Sequence, residues 1–225
     1  MGLASGFLLV TGIGLASPGE SSPAQFPSTE AETVELAPAV VVAAGADSVD
    51  ANAIARVAAV HDDRLEFGTG FQLDDGRIAT VAHALVDARS VRFGTLDDSV
   101  ELDQPNINPE VAISRLHDVA ALSGEPLSSG FPVAADGAIV GQSVALAGIP
   151  EDGRIHVMTG EVISRTEGSA YGIGRPEVFA ISTSVEVGYS GGPVVNAFGE
   201  VVGIIVGSET RSGVTLAVPI EHLPG

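Results

Sequence analysis

Residues 68–83 read GTGFQLDDGRIATVAH. Two apolar runs, Gly70–Leu73 and Arg77–Val81, flank Asp74-Asp75-Gly76. Asp-Gly between apolar runs is a hairpin signal, because glycine accepts the left-handed backbone that a tight turn needs. The stretch therefore reads as a β-hairpin whose second strand ends at His83. The same grammar continues in both directions. Short runs rich in Val and Ile recur at Ile54–Val60, Ser90–Phe93, Val111–Leu116, Val119–Leu122, Ser143–Ala147, Ile155–Thr159, Val178–Ser182, Pro193–Asn196, Val201–Val206 and Val214–Val218. Gly94, Pro105-Asn106, Gly124, Asp152-Gly153 and Gly199 fall in the breaks. Strands this short at this spacing predict an all-β sandwich or barrel. Ser123–Gly137, SGEPLSSGFPVAADG, is loop-like and divides the runs into two sets of similar size. Two small β-barrels joined by a linker is the simplest architecture. Helical signals are weak. Ala51–Ala59 suits helix or strand, ALVDA after His83 suits a short turn, and PIEHLPG at the end suits the start of a helix.

Composition sets the limits. Of 225 residues 45% are hydrophobic and 17% charged, which argues against general disorder. Aromatics are 4% and Trp is absent, so the core must be aliphatic. The formal net charge is −19, and all ten basic residues are Arg. Such a surface repels phosphate, so neither nucleic acid nor an anionic bilayer is an expected partner. With no Cys, disulfides, thiolate metal sites and cysteine nucleophiles are all excluded.

The N-terminus differs from the rest. Residues 3–16, LASGFLLVTGIGLA, are uncharged, and Gly14-Leu15-Ala16 resembles a small-x-small cleavage site. The run is shorter than the roughly 20 residues of a membrane span. Residues 1–16 are therefore expected to be a signal peptide or membrane anchor, although a basic leader is missing. Residues 17–38 are rich in Pro, Ser and Glu and read as a flexible linker. The folded part is expected from residue 39 to 225, with barrel one to about 122, a linker over 123–137 and barrel two from about 138. An exported protein follows: periplasmic, extracellular or membrane-tethered.

Three motifs carry chemistry. Gly188-Tyr189-Ser190-Gly191-Gly192-Pro193 sets one Ser among three glycines, a turn that can expose the hydroxyl and aim backbone N–H groups at one point. His83 closes the hairpin strand. Asp118 opens the apolar run VAAL, an odd position for a solvated charge. Asp97, Asp98 and Asp103 also lie between His83 and Ser190, but Asp118 has the flank of a buried group. His61, His117, His156 and His222 have no comparable setting.

Together GTGF…TVAH, HDVAAL and GYSGGPVVN…GEVVGI resemble the motifs of chymotrypsin-fold serine proteases, and most closely the bacterial HtrA/Deg branch. GQSVALAGIP (141–150), VMTGEVIS (157–164) and GVTLAVPI (213–220) add local likeness, so the resemblance covers about residues 54–221. It implies two six-stranded antiparallel β-barrels with the active site between them. It implies a serine endopeptidase acting on protein or peptide substrates, with Ser190 as nucleophile, His83 as base and Asp118 orienting the His. The N–H groups of Gly188 and Ser190 would form the oxyanion hole. No metal or other cofactor is expected. Ser184, six residues before Ser190, would lie at the base of the primary specificity pocket; being neutral, it favours apolar substrates over Lys or Arg. Tyr189 departs from the pattern, standing where the HtrA branch usually has Asn and digestive proteases have Asp. The PDZ domain typical of HtrA proteins is not expected in a chain ending at Gly225, and nothing in the sequence sets the oligomeric state. Two alternatives stand beside the protease: a catalytically inactive binding module on the same fold, and a β-rich structural or adhesion domain.

Overall fold

A computed structural model describes residues 43–94, 110–124, 126–209 and 211–225. They lie in one compact unit, Val40–Gly225. The expected signal segment and linker, and Asp97, Asp98 and Asp103, lie outside the described residues.

Each of the twelve apolar runs falls on one strand. The strands are β1 (Ile54–Val60), β2 (Leu65–Gln72), β3 (Ile78–Val81), β4 (Ser90–Gly94), β5 (Glu110–Ser114), β6 (Val119–Ser123), β7 (Ser143–Gly148), β8 (His156–Thr166), β9 (Val178–Ile181), β10 (Pro193–Val195), β11 (Val201–Glu209) and β12 (Val214–Pro219). The first six form one antiparallel sheet in the order β4-β1-β2-β3-β6-β5, and the last six close into a barrel, β10-β11-β12-β9-β8-β7. Among the described residues, the first sheet curls without pairing β4 to β5. β-Branched residues suit these strands because their stiff side chains pack well on a pleated surface. The ambiguous stretch Ala51–Ala59 resolves as a 3₁₀ turn (Ala51–Ala53) running into β1. The C-terminus forms one 3₁₀ turn, Ile220–His222.

Three apolar clusters hold the unit together. Val144, Leu146, Val162, Phe179, Val194 and Ile205 fill the closed barrel. Val57, Ile78, Val91, Ala120 and Leu122 line the first sheet. The third cluster joins the two sheets: Ile54, Phe71, Val81 and Val119 from one side meet Val178, Val201, Ile204 and Val218 from the other. This is why β9 and β12 are buried along their whole length. In such an aliphatic core, truncating one Ile or Leu to Ala costs about 2–5 kcal/mol.

The segment between the sheets is stitched to both. Phe131 N donates to Gln72 O at 2.8 Å and Asp74 N to Phe131 O at 3.0 Å. Ala134 N donates to Val201 O at 3.0 Å and Val201 N to Pro132 O at 2.8 Å. The buried Phe131 ring meets Phe71 edge-on, centroids 6.0 Å apart. These bonds fix the two sheets against each other at the β2 end, where the motifs gather.

Candidate active site

Asp118 sits at the corner between β5 and β6. Its φ is +61°, a left-handed backbone that Asp tolerates better than most residues. The corner turns the carboxylate back onto the end of β3. Asp118 O accepts from Ala82 N at 3.1 Å and Oδ1 accepts from His83 N at 2.7 Å. Oδ2 accepts from His83 Nδ1, also at 2.7 Å. An ionised carboxylate can only accept, so Nδ1 carries the ring proton and Nε2 is left as a base. Asp118 is almost wholly buried. Burial alone would raise its pKa. The His83 hydrogen bond and charge, with the charge and hydrogen bond of Arg175, outweigh burial and hold the carboxyl below its ordinary value. It is therefore ionised at neutral pH.

The Ser190 turn is clasped by β2. Thr69 N donates to Ser190 O at 2.9 Å, and Thr69 Oγ1 donates to Gly188 O at 2.6 Å. The same hydroxyl accepts from Ile149 N at 2.8 Å, and Thr69 O accepts from Thr80 Oγ1 at 2.8 Å. One buried threonine thus ties the serine turn to β3, the strand that leads to His83. Gly191 shows why the motif demands glycine. Its φ is +89°, and a Cβ there would stand 2.1 Å from Thr69 O. Gly191 N donates to Ile205 O and Ile205 N to Gly192 O, which fastens the turn to β11. Among the described residues, the N–H groups of Gly188 and Ser190 donate to no protein acceptor. Ser190 Oγ makes no hydrogen bond to His83, a contact that is often loose until substrate is bound.

Tyr189 is 1% exposed and packs over Gly148, where a Cβ would come 2.3 Å from its Cγ. Burial, helped by Glu186 and Asp152, pushes its phenol up from the ordinary value, so it stays neutral at pH 7. Ser184 is exposed in the turn after β9, and no described contact joins it to His83, Asp118 or Ser190. Among the described residues, no group of three His, Asp or Glu side chains could hold a metal ion, and no helix is long and apolar enough to cross a membrane.

Two functional neighbours carried no usable sequence signal. Thr69 lies inside the GTGF motif, but nothing local reveals its partners at 188 and 149. Arg175, in the loop before β9, pairs with Asp118 Oδ2. A single Arg between Gly174 and Pro176 looks like an ordinary surface charge.

A closed barrel beside a second six-stranded antiparallel sheet, with His83 just after β3, Asp118 just before β6 and the Ser190 turn leading into β10, defines the chymotrypsin-like double-barrel class. Residues 68–204 match the family model described as trypsin-like peptidase domain. The chain therefore belongs to the trypsin-like peptidase family, and its relatives are serine proteases of the HtrA type. Protease Do-like 1, chloroplastic, from Arabidopsis thaliana is 33% identical over 171 residues, covering 70% of this chain and 38% of that protein. Serine protease HTRA2, mitochondrial, from Bos taurus is 30% identical over 164 residues, covering 69% of this chain and 34% of that protein. The chain thus spans little more than a third of the length of these relatives. The crystal structure of the active form of the Rv3671c protease from M. tuberculosis superposes with a TM-score of 0.63 at 23% identity, covering 76% of this chain and 77% of that one. That likeness is one of fold.

Proposed function

We propose that the chain is an active serine endopeptidase that cuts protein substrates through an acyl-enzyme intermediate. The observation that carries this reading is the double hold of Asp118 on His83, ring Nδ1 and backbone N each at 2.7 Å. It leaves Nε2 as the only basic position on the ring. Ser190 Oγ attacks the scissile carbonyl while His83 Nε2 takes its proton. The carbonyl oxygen becomes an oxyanion and is met by the N–H groups of Gly188 and Ser190. Each such donor contributes roughly 3–4 kcal/mol in the transition state. His83 then returns the proton to the leaving amine as the C–N bond breaks, giving the acyl-enzyme. Water repeats the sequence, with His83 as base, and releases Ser190. This chemistry needs no metal and no organic cofactor.

Substrates are read as extended protein segments with apolar residues before the scissile bond, with neutral Ser184 near the pocket base. The strong negative charge disfavours nucleic-acid and anionic-lipid partners. The uncharged stretch at residues 3–16 supports work outside the cytoplasm.

The test is casein digestion, with a fluorophosphonate label on Ser190. Wild type is expected to digest casein and take up one label, and Ser190→Ala to do neither. A folded wild type that neither digests nor labels would favour the inactive binding module.

A further inference from the structure

Asp118 has a second side-chain partner besides His83, and this one carries a fixed positive charge. Arg175 Nη2 bonds Asp118 Oδ2, the same oxygen that accepts from His83 Nδ1. The pair is enclosed, with side-chain exposures of 19% for Arg175 and 9% for Asp118. The loop that delivers Arg175 is itself held. Gly168 N donates to Arg175 O at 3.0 Å, Tyr171 and Ile173 pack on the inter-sheet core, and Tyr171 OH pairs with Ser164 Oγ at 3.0 Å. Arg175 Nε is buried without a hydrogen-bond partner, while Nη2 of the same guanidinium donates to Asp118.

We propose that Arg175 is a positioning residue of the site: its guanidinium holds the Asp118 carboxylate and keeps His83 an uncharged base at lower pH than His83 and Asp118 alone would allow. The inference rests on the protease reading above. Two cations on one carboxylate oxygen disfavour each other, so the fixed charge of Arg175 opposes the imidazolium of His83. An arginine keeps its charge throughout the working range. The other charged groups nearby are accounted for. Glu66 lies within electrostatic reach of His83 and is itself paired with Arg64 at 2.7 Å and His61 at 3.4 Å. His117, next to Asp118 in the chain, stacks on His222 with centroids 3.9 Å apart, and His222 Nε2 lies 3.1 Å from Glu177. Of these groups only Arg175 and His83 bond the Asp118 carboxylate.

The experiment compares wild type with two neutral variants, Arg175→Gln and Arg175→Met, and with Arg175→Lys. Met keeps an apolar stem should Gln fail to fold. The acid limb of the kcat/KM–pH profile is expected to move up by about one pH unit in the neutral variants, the low end for a nearby charge because His83 is half exposed. Below the midpoint that is about a ten-fold loss of kcat/KM, with the alkaline plateau little changed and carried mainly by kcat. Arg175→Lys restores the wild-type limb. A lowered plateau or Tm with an unmoved limb shows a merely structural residue and overturns the proposal. Ring-proton NMR of His83 in the Ser190→Ala background separates the two readings. If wild type neither cuts casein nor labels, the protease reading fails, and a His83 titration midpoint about one pH unit higher without Arg175 still supports the pairing. An identical midpoint with and without Arg175 refutes it.

Discussion

The hydroxyl of Thr69 donates to the carbonyl of Gly188 at 2.6 Å, across 119 residues of chain. It also accepts from Ile149 N at 2.8 Å, so one buried oxygen joins β2, the end of β7 and the loop that carries Ser190. Thr69→Val keeps the shape and removes both bonds. The buried Ile149 N–H then loses its partner, at about 1–3 kcal/mol, and the half-buried Gly188 carbonyl loses one too, at a smaller cost. Because one of them belongs to Gly188, kcat should fall more than KM rises, by at least ten-fold. Thr69→Ser should recover most of the loss. Thr69→Val with wild-type kcat and Tm would show that the clasp is dispensable.

Ser190 and His83 are expected to act as a unit. Either Ala substitution should abolish most turnover, and the double variant should be little worse than either alone. Single-turnover and steady-state rates on one peptide substrate measure this. Multiplicative losses would mean that the two side chains serve separate steps. Asp118→Asn, which leaves the His83 ring a donor partner instead of an acceptor, should also be severe; replacement of Asp97, Asp98 or Asp103 should cost far less.

Acid should unfold the protein through its carboxylates. Asp118, Glu66, Asp75 and Glu177 all lie below their ordinary values, the last three chiefly through hydrogen bonds to Arg64, Arg77 and Arg165. A carboxyl depressed in the folded state binds protons more readily when the chain is unfolded. Its stabilising effect is complete above the unfolded range near pH 4 and is lost as pH falls through the lower folded values. Tm should therefore drop steeply below about pH 4. A Tm that holds unchanged down to pH 2 would contradict these pairings.

Salt should raise stability at neutral pH. A formal net charge of −19 repels itself, and the Debye length shrinks from about 30 Å at 0.01 M to near 10 Å at 0.1 M. Differential scanning calorimetry should show Tm rising toward about 0.5 M salt, the range in which screening becomes effective. The surface pairs, such as Arg77 with Asp75, act in the opposite sense, but each contributes at most about 1 kcal/mol. A flat or falling Tm would show that these pairs outweigh the repulsion.

Tyr189 offers no carboxylate to a new N-terminal amine, and its ring instead packs on Gly148. Activity should therefore not depend on release of a free N-terminus. A full chain bearing an uncleavable N-terminal tag should be as active as one whose tag has been removed. Gly148→Ala, whose Cβ would meet the Tyr189 ring, should displace the serine turn and cost more than ten-fold in kcat. Activity that appears only after tag removal would assign the amine another partner.

Much of this protein was legible locally. Alternation and β-branching act over a few residues, so all twelve strands could be read from runs such as Ile54–Val60 and Val214–Val218. The serine turn was legible because a backbone such as that of Gly191 excludes side chains, and glycine is the mark that leaves in a sequence. Several boundaries were missed for local reasons. β2 begins at Leu65, β8 runs on to Thr166 and β11 to Glu209, where polar residues such as Glu66, Arg165 and Ser208 break the apolar pattern, and β5 ends at Ser114, short of Leu116.

What only the tertiary structure decided are the contacts between distant segments. The closure of the second barrel depends on how far its sheet curls, which no single strand encodes. The linker at Phe131 pairs with both sheets only because they are already in place. Thr69 meets Gly188 across 119 residues and Arg175 meets Asp118 across 57. Such pairs leave no periodicity, since one hydroxyl or one guanidinium satisfies its partner wherever the chain brings them together. Residue types and strand positions are therefore properties of the sequence read in short windows, while the electrostatics around Asp118 exist only once the β5–β6 corner and the β8–β9 loop have been folded against the same carboxylate.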